Sequence, residues 1–198
     1  ESKDAILPGA PQLYEHIENN VLIDTKFGDQ ALTDQAFAKA SHVVEHEFYI
    51  QRVTGVTMEP RSALGSYDAD AGKFTLIAGS GGAVRQQSEI AAVLGIDTSD
   101  IRVISPDVGG NFGTRNRVYI EFGLVLFAAK KINRPVKFTA TRSESFLTDY
   151  QGRDLVTNIA LALDENGKFL GLKCDNISNV GAHCVSLSPL GKGSGLIT

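Results

Sequence analysis

Six consecutive residues, Gly109-Gly110-Asn111-Phe112-Gly113-Thr114, constrain this chain more than any others. The apolar run Ile101-Arg102-Val103-Ile104 precedes them, and an almost wholly apolar segment from about Val118 to Lys131 follows. That order predicts a strand, a glycine-rich turn and a helix N-terminus. Glycine takes φ > 0 freely and lets the main chain come close to a ligand. Backbone N–H groups at a helix start, with the helix dipole behind them, favour an anion. A second junction repeats the pattern. A strand over 74–78 runs into Gly79-Ser80-Gly81-Gly82, and a helix follows over 83–94 with Gly95 as its stop. Two such mouths in successive strand–helix units can open on one sheet edge, and ligands of open α/β sheets bind outside the carboxyl ends of strands.

The residues alone leave two readings of these turns open: connections shortened by glycine, or a wall shared by one ligand. Known phosphate fingerprints do not decide it. The 109–114 stretch is not G-x-G-x-x-G, and Arg115 stands at the wrong spacing for a Walker A lysine.

The rest of the chain reads as α/β (α+β) with a mixed sheet. Residues 1–32 carry little periodicity and form an irregular lead-in, and the folded domain is expected over 33–198. Thr33 is the expected N-cap of a short helix over 33–40. Residues 42–52 alternate as a half-buried strand, with Val44, Phe48 and Ile50 on one face and Glu45 and Glu47 on the other. Strands follow at 62–67, 136–141 and 155–163. Asp68 to Gly72 turns the first of them into strand 74–78, and Asp164-Glu165-Asn166-Gly167 signals a hairpin. On the helix over 83–94, Val84, Gln87, Ile90, Ala91 and Leu94 share the expected core face.

Composition excludes several functions. The net charge is −4 and the basic residues are scattered, which argues against a nucleic-acid partner. The two cysteines, Cys174 and Cys184, form neither a zinc spacing nor a disulfide framework, and an apolar free thiol is the expectation. No apolar run approaches the ~20 residues of a membrane span. With no signal peptide at Glu1-Ser2-Lys3-Asp4, a cytoplasmic protein is the default. Both ends read as cut, and the last residues, Gly191 to Thr198, read as a flexible stretch, so a piece of a longer polypeptide is expected.

Other constellations carry less. His42 and His46 lie ~13 Å apart along a strand, too far to share a metal. Glu45 and Glu47, ~6.6 Å apart, suit carboxylate-pair chemistry but equally an ordinary solvated face. Met58-Glu59-Pro60-Arg61 reads as a buried salt bridge at the start of strand 62–67, in which Glu59 and Arg61 pair with each other or elsewhere.

Read together, several segments resemble the large subunit of the xanthine dehydrogenase, aldehyde oxidase and carbon monoxide dehydrogenase family. They are Met58 to Arg61, Gly79 to Gly95, Gly109 to Gly113, Asn133-Arg134-Pro135-Val136-Lys137, Thr141-Arg142-Ser143-Glu144 and Ser178-Asn179-Val180-Gly181. The resemblance covers about residues 30–190. It implies the first molybdenum-binding domain of a molybdenum hydroxylase. The full protein would hold a molybdenum–pterin cofactor, usually the cytosine dinucleotide form in bacteria. It would oxidise an aldehyde, a heterocycle or carbon monoxide with oxygen from water. Electrons would pass to [2Fe–2S] and FAD partners, the iron–sulfur small subunit and the flavin medium subunit.

The same resemblance assigns Gly81, Gly82, Gly109, Gly110, Asn111, Phe112 and Gly113 to the cofactor wall. It also shows departures. Gly81 stands where the family often has a glutamine, and Asn116 where xanthine-type members carry a glutamate, which speaks against purine hydroxylation. The general base and substrate-channel residues would lie beyond Thr198. This chain alone is therefore expected to bind no molybdenum cofactor and to be inactive. The rival readings are a stand-alone nucleotide- or phosphate-binding module and a degenerate assembly subunit.

Overall fold

The computed structural model describes residues 2–183. Cys184 and the stretch from Gly191 to Thr198 lie outside the described residues. In chain order the longer elements are α1 (Gln30–Ala38), β1 (His42–Ile50), β2 (Ser62–Asp68), β3 (Lys73–Ala78), α2 (Ala83–Leu94), β4 (Ile101–Ile104), α3 (Ile120–Ile132), β5 (Val136–Thr139), α4 (Arg142–Thr148), β6 (Leu155–Leu163) and β7 (Phe169–Ser178). They divide into two compact units, one made of residues 1–53 and 152–198, the other of 54–151. The mixed α/β character expected from the sequence is present in this element order.

The first unit holds an antiparallel sheet in the order β1-β6-β7. The β6–β7 hairpin turns where the DENG signal lies. Asp164 Oδ1 accepts the N–H groups of Asn166 at 2.8 Å and Lys168 at 2.9 Å, and the ladder shifts register between Ala162 and Leu163. Helix α1 starts three residues earlier than expected, because the Asp29 side chain, not Thr33, caps the N–H of Leu32 at 2.9 Å. Strand β1 is not half-buried: all its described residues but Glu47 are exposed. Alternation marks two faces of a strand but does not supply the layer that covers one of them. Cys174 is exposed rather than apolar and buried, with its Sγ 3.3 Å from Asn176 Oδ1.

The second unit is a mixed four-stranded sheet in the order β4-β3-β2-β5. β2 pairs antiparallel with both β3 and β5, while β3 and β4 run parallel, joined by α2. Phe74 and Leu76 of β3, Ile90 and Ala91 of α2, and Phe122, Val125 and Leu126 of α3 form its core. Gly65 is required where α3 crosses β2, since a Cβ there would stand 2.8 Å from the Val125 carbonyl carbon.

Helix α2 runs over the expected residues and ends on Gly95 at φ +66°. Most of the expected face packs inward, with Ile90 and Ala91 buried and Gln87 and Leu94 half-buried. Buried Gln86 joins it, but Val84 does not and is 77% exposed. The Gln86 amide reaches back to the Gly79 carbonyl at 3.3 Å, which helps to hold the helix on the strand–turn before it. Helix α4 is started by a reciprocal capping box between Thr141 and Glu144. The Thr141 backbone N–H holds the Glu144 carboxyl below its ordinary pKa.

Candidate functional site

The parallel pairing of Phe74 to Ile101 through Ile77 to Ile104 brings the carboxyl ends of β3 and β4 out side by side. The two glycine turns therefore meet on one sheet edge, as the sequence pattern implied. Ser80 N–H donates to Ser105 Oγ at 3.0 Å, and Gly81 N–H donates to the Arg115 carbonyl at 3.1 Å.

One expected feature differs. The 109–114 turn does not open directly into a helix. Short turns occupy residues 112–117, and α3 begins only at Ile120, behind Tyr119. The apolar residues from Val118 read as helix because periodicity cannot mark a start without a capping signal. The helix-dipole argument thus fails for this turn. It survives at 79–82, where Gly82 is the N-cap of α2 and supplies no side-chain cap.

The seven predicted wall residues fall into two groups. At Gly81 a Cβ would overlap Asn116 Oδ1 and Asn111 Nδ2, and at Gly109 it would stand 2.5 Å from Glu59 Cβ. Gly110, at φ +113°, lies against Thr57 and the Phe112 ring. The protein itself therefore requires these three glycines. Gly82 and Gly113 face open space instead, with nothing within 4 Å of an added Cβ. Phe112 stands beside them in sequence at φ +46°, 78% exposed. A bulky residue in that backbone region is strained and needs a fixed frame.

Asn111 supplies part of that frame. Its Oδ1 accepts the N–H groups of Gly113 at 3.1 Å and Arg115 at 3.2 Å, and its Nδ2 donates to Asn116 Oδ1 at 2.9 Å.

Sequence reasoning missed the support beneath the turns. Glu59 does not pair with Arg61; its Oε2 accepts the Gly109 N–H at 2.7 Å. Arg61 is buried as expected, bonded to Glu121 at 2.7 Å and to Asp149. Burial works to lower its pKa, but the Glu121 and Asp149 carboxylates outweigh it and raise the pKa above its ordinary value. Tyr119 stacks under the Arg61 guanidinium at 4.2 Å, and burial pushes its phenol up to about 12. Arg115 and Asp149 had no local signal, since their side-chain partners lie 34 to 88 residues away.

Of the remaining candidates, Glu45, His46 and Glu47 line a shared open cavity on the β1-β6-β7 sheet. Glu47 is bound by Lys3, and no group of three or more His, Cys, Asp or Glu among the described residues can hold a metal. No helix among the described residues is long and apolar enough to cross a membrane.

Comparison with known proteins agrees with this arrangement. Residues 13–196 match the model of the molybdopterin cofactor-binding domain. The 6-hydroxypseudooxynicotine dehydrogenase complex subunit gamma of Paenarthrobacter nicotinovorans is 32% identical over 85% of this chain and 21% of its own. The carbon monoxide dehydrogenase large chain of Hydrogenophaga pseudoflava is 29% identical over 94% of this chain and 25% of its own. Reconstituted CO dehydrogenase from Oligotropha carboxidovorans superposes with a TM-score of 0.81 at 28% identity, covering 89% of this chain and 23% of that one. This chain thus spans a quarter or less of these relatives. A glycine-lined edge on a mixed sheet, joined to a match over nearly the whole sequence, places the chain in the molybdopterin cofactor-binding domain family.

Proposed function

We propose that the two glycine turns form one wall of a molybdenum–pterin site in a longer oxidoreductase. The observation that carries this reading is the meeting of both turns at the carboxyl ends of parallel β3 and β4. The residues suit the group. Gly82 and Gly113 leave space for close approach, and the α2 N-terminus carries no side-chain cap. The uncapped first turn of α2 offers main-chain donors to an electron-rich ligand. Gly82, Phe112 and Gly113 would face the cofactor. Gly81, Gly109, Gly110 and Asn111 would shape the wall behind them.

When bound, the group supplies two-electron redox chemistry with oxygen taken from water. The part of this chain is to orient it and to hold Phe112 at the mouth. The substrate class we propose is an aldehyde, a heterocycle or carbon monoxide, in keeping with relatives named for carbon monoxide and nicotine-derived compounds. Iron–sulfur and FAD subunits would receive the electrons, and the cytosine dinucleotide form of the cofactor and a cytoplasmic setting complete the reading. One relative is itself named as a subunit of a complex.

The test is molybdenum and pterin analysis of the longest polypeptide that carries this chain, produced with and without Gly82→Leu. Gly82 has an extended backbone, φ 172°, so leucine fits the main chain and enters only open space. The expected result is stoichiometric molybdenum in the parent and a clear drop in a folded G82L. Full molybdenum in a folded G82L would overturn the wall assignment.

A further inference from the structure

Beneath the two glycine turns lies a buried charge cluster that the proposed chemistry does not use. Arg61, Arg115 and Asp149 are each nearly inaccessible, and Glu121 lies at its edge. Ion pairs removed from water are held only by good geometry, and a surface pair would cost less. Arg115 shows what the geometry does.

Its Nη2 donates to Thr57 Oγ1 and to the Glu59 carbonyl, both at 2.8 Å, and its Nη1 donates to Asp149 Oδ2 at 3.3 Å. Thr57 Oγ1 in turn donates to the Glu59 carbonyl at 2.7 Å. Asp149 is fixed from its other oxygen by Arg61, which Glu121 and Thr148 hold at 2.7 and 2.8 Å. The main chain of the same Arg115 belongs to the mouth: its carbonyl takes the Gly81 N–H, and its N–H is held by Asn111. Glu59, gripped by the guanidinium, holds Gly109.

We infer that Arg115 is a positioning residue that latches both glycine turns to one buried frame, so that neither turn moves without the other. A guanidinium fork presents its donors in one rigid plane, and an ammonium cannot meet three separated acceptors in the same way. The inference rests on the cofactor reading only for its consequence, retention of the group; the latch itself is a property of the chain.

The test is amide hydrogen exchange, read residue by residue by NMR, on the chain and on Thr57→Val, Thr57→Ser and Arg115→Lys. Thr57→Val removes one of the fork's two neutral acceptors and leaves every charge in place, so it remains informative if R115K fails to fold. The latch predicts that T57V and R115K speed exchange at Gly81 and Gly109 together by about tenfold or more, while the Leu76 amide in β3 stays slow. T57S, which keeps the hydroxyl, is expected to restore parent rates. Acceleration at one turn alone, an equal rise at Leu76, or a T57V that exchanges like the parent would each overturn the latch. Molybdenum content of the longer polypeptide carrying T57V separates the two ideas. Fast exchange with less molybdenum supports both, whereas fast exchange with unchanged molybdenum keeps the latch and removes its link to the cofactor.

Discussion

Glu59 and Gly109 hold each other from both sides: the Glu59 N–H donates to the Gly109 carbonyl at 3.1 Å, and Glu59 Oε2 accepts the Gly109 N–H at 2.7 Å. The pair ties the segment before β2 to the turn after β4, two regions 50 residues apart. Glu59, expected in a salt bridge at the start of the strand, thus proves to be the anchor of the glycine turn.

Gly109→Ala should destabilise the chain by roughly 1–3 kcal/mol, because the new methyl would stand 2.5 Å from Glu59 Cβ. Glu59→Ala, which removes the carboxylate but no packing under the turn, should cost about 1 kcal/mol. Urea unfolding of both variants checks this. A G109A as stable as the parent would mean that the contact gives way freely.

Gly65→Ala tests the packing of α3 on β2. The added carbon would meet main-chain atoms of Val125 and Leu126 at 2.8–2.9 Å, and a helix backbone cannot rotate away as a side chain can. A loss of about 1–3 kcal/mol is expected, with a lowered Tm by calorimetry.

Gly81 and Asn116 should be energetically coupled. Gly81→Ala drives a methyl into the Asn116 amide, so it should cost about 1–2 kcal/mol. In an Asn116→Ala background the penalty should shrink, although Asn111 Nδ2 still crowds the position. A double-mutant cycle should yield a coupling of about 0.5–2 kcal/mol, and strict additivity would contradict the contact.

Tyr119 predicts the alkaline limit of stability. Its phenol, buried and donating to the Thr114 carbonyl at 2.6 Å, is held up to about 12 from an ordinary value of 10.0. The folded state keeps the proton after the unfolded state has lost it. The contribution is therefore complete below pH 10 and disappears as pH rises toward 12, a change on the order of 2 kcal/mol. The unfolding free energy measured across that window should fall less steeply in Tyr119→Phe than in the parent. Equal slopes would contradict this assignment.

Where a segment carries its own stop signals, sequence and structure agree closely. Helix α2 was readable over 83–94 because Gly82 and Gly95 bracket it, and the β6–β7 hairpin because Asp164 folds its own turn. Where the signal lies elsewhere in the chain, sequence and structure diverge. Helix α3 starts two residues after Val118, where the apolar run begins, since Tyr119 offers no side-chain cap. Strand β1 alternates cleanly, yet nothing in its nine residues says which face is covered, and nearly all of them are exposed.

The candidate site divides in the same way. The positions of the glycines, the order of strand, turn and helix, and the family resemblance all come from the linear chain, because backbone freedom and periodicity are local properties. Which glycines face open space and which are packed shut was decided by tertiary structure. So was the placing of Arg115 beneath both turns, bonded to acceptors 34, 56 and 58 residues away in sequence. A buried guanidinium finds its partners only when the sheet, the turns and α4 have assembled. No pattern within a single segment can encode that meeting.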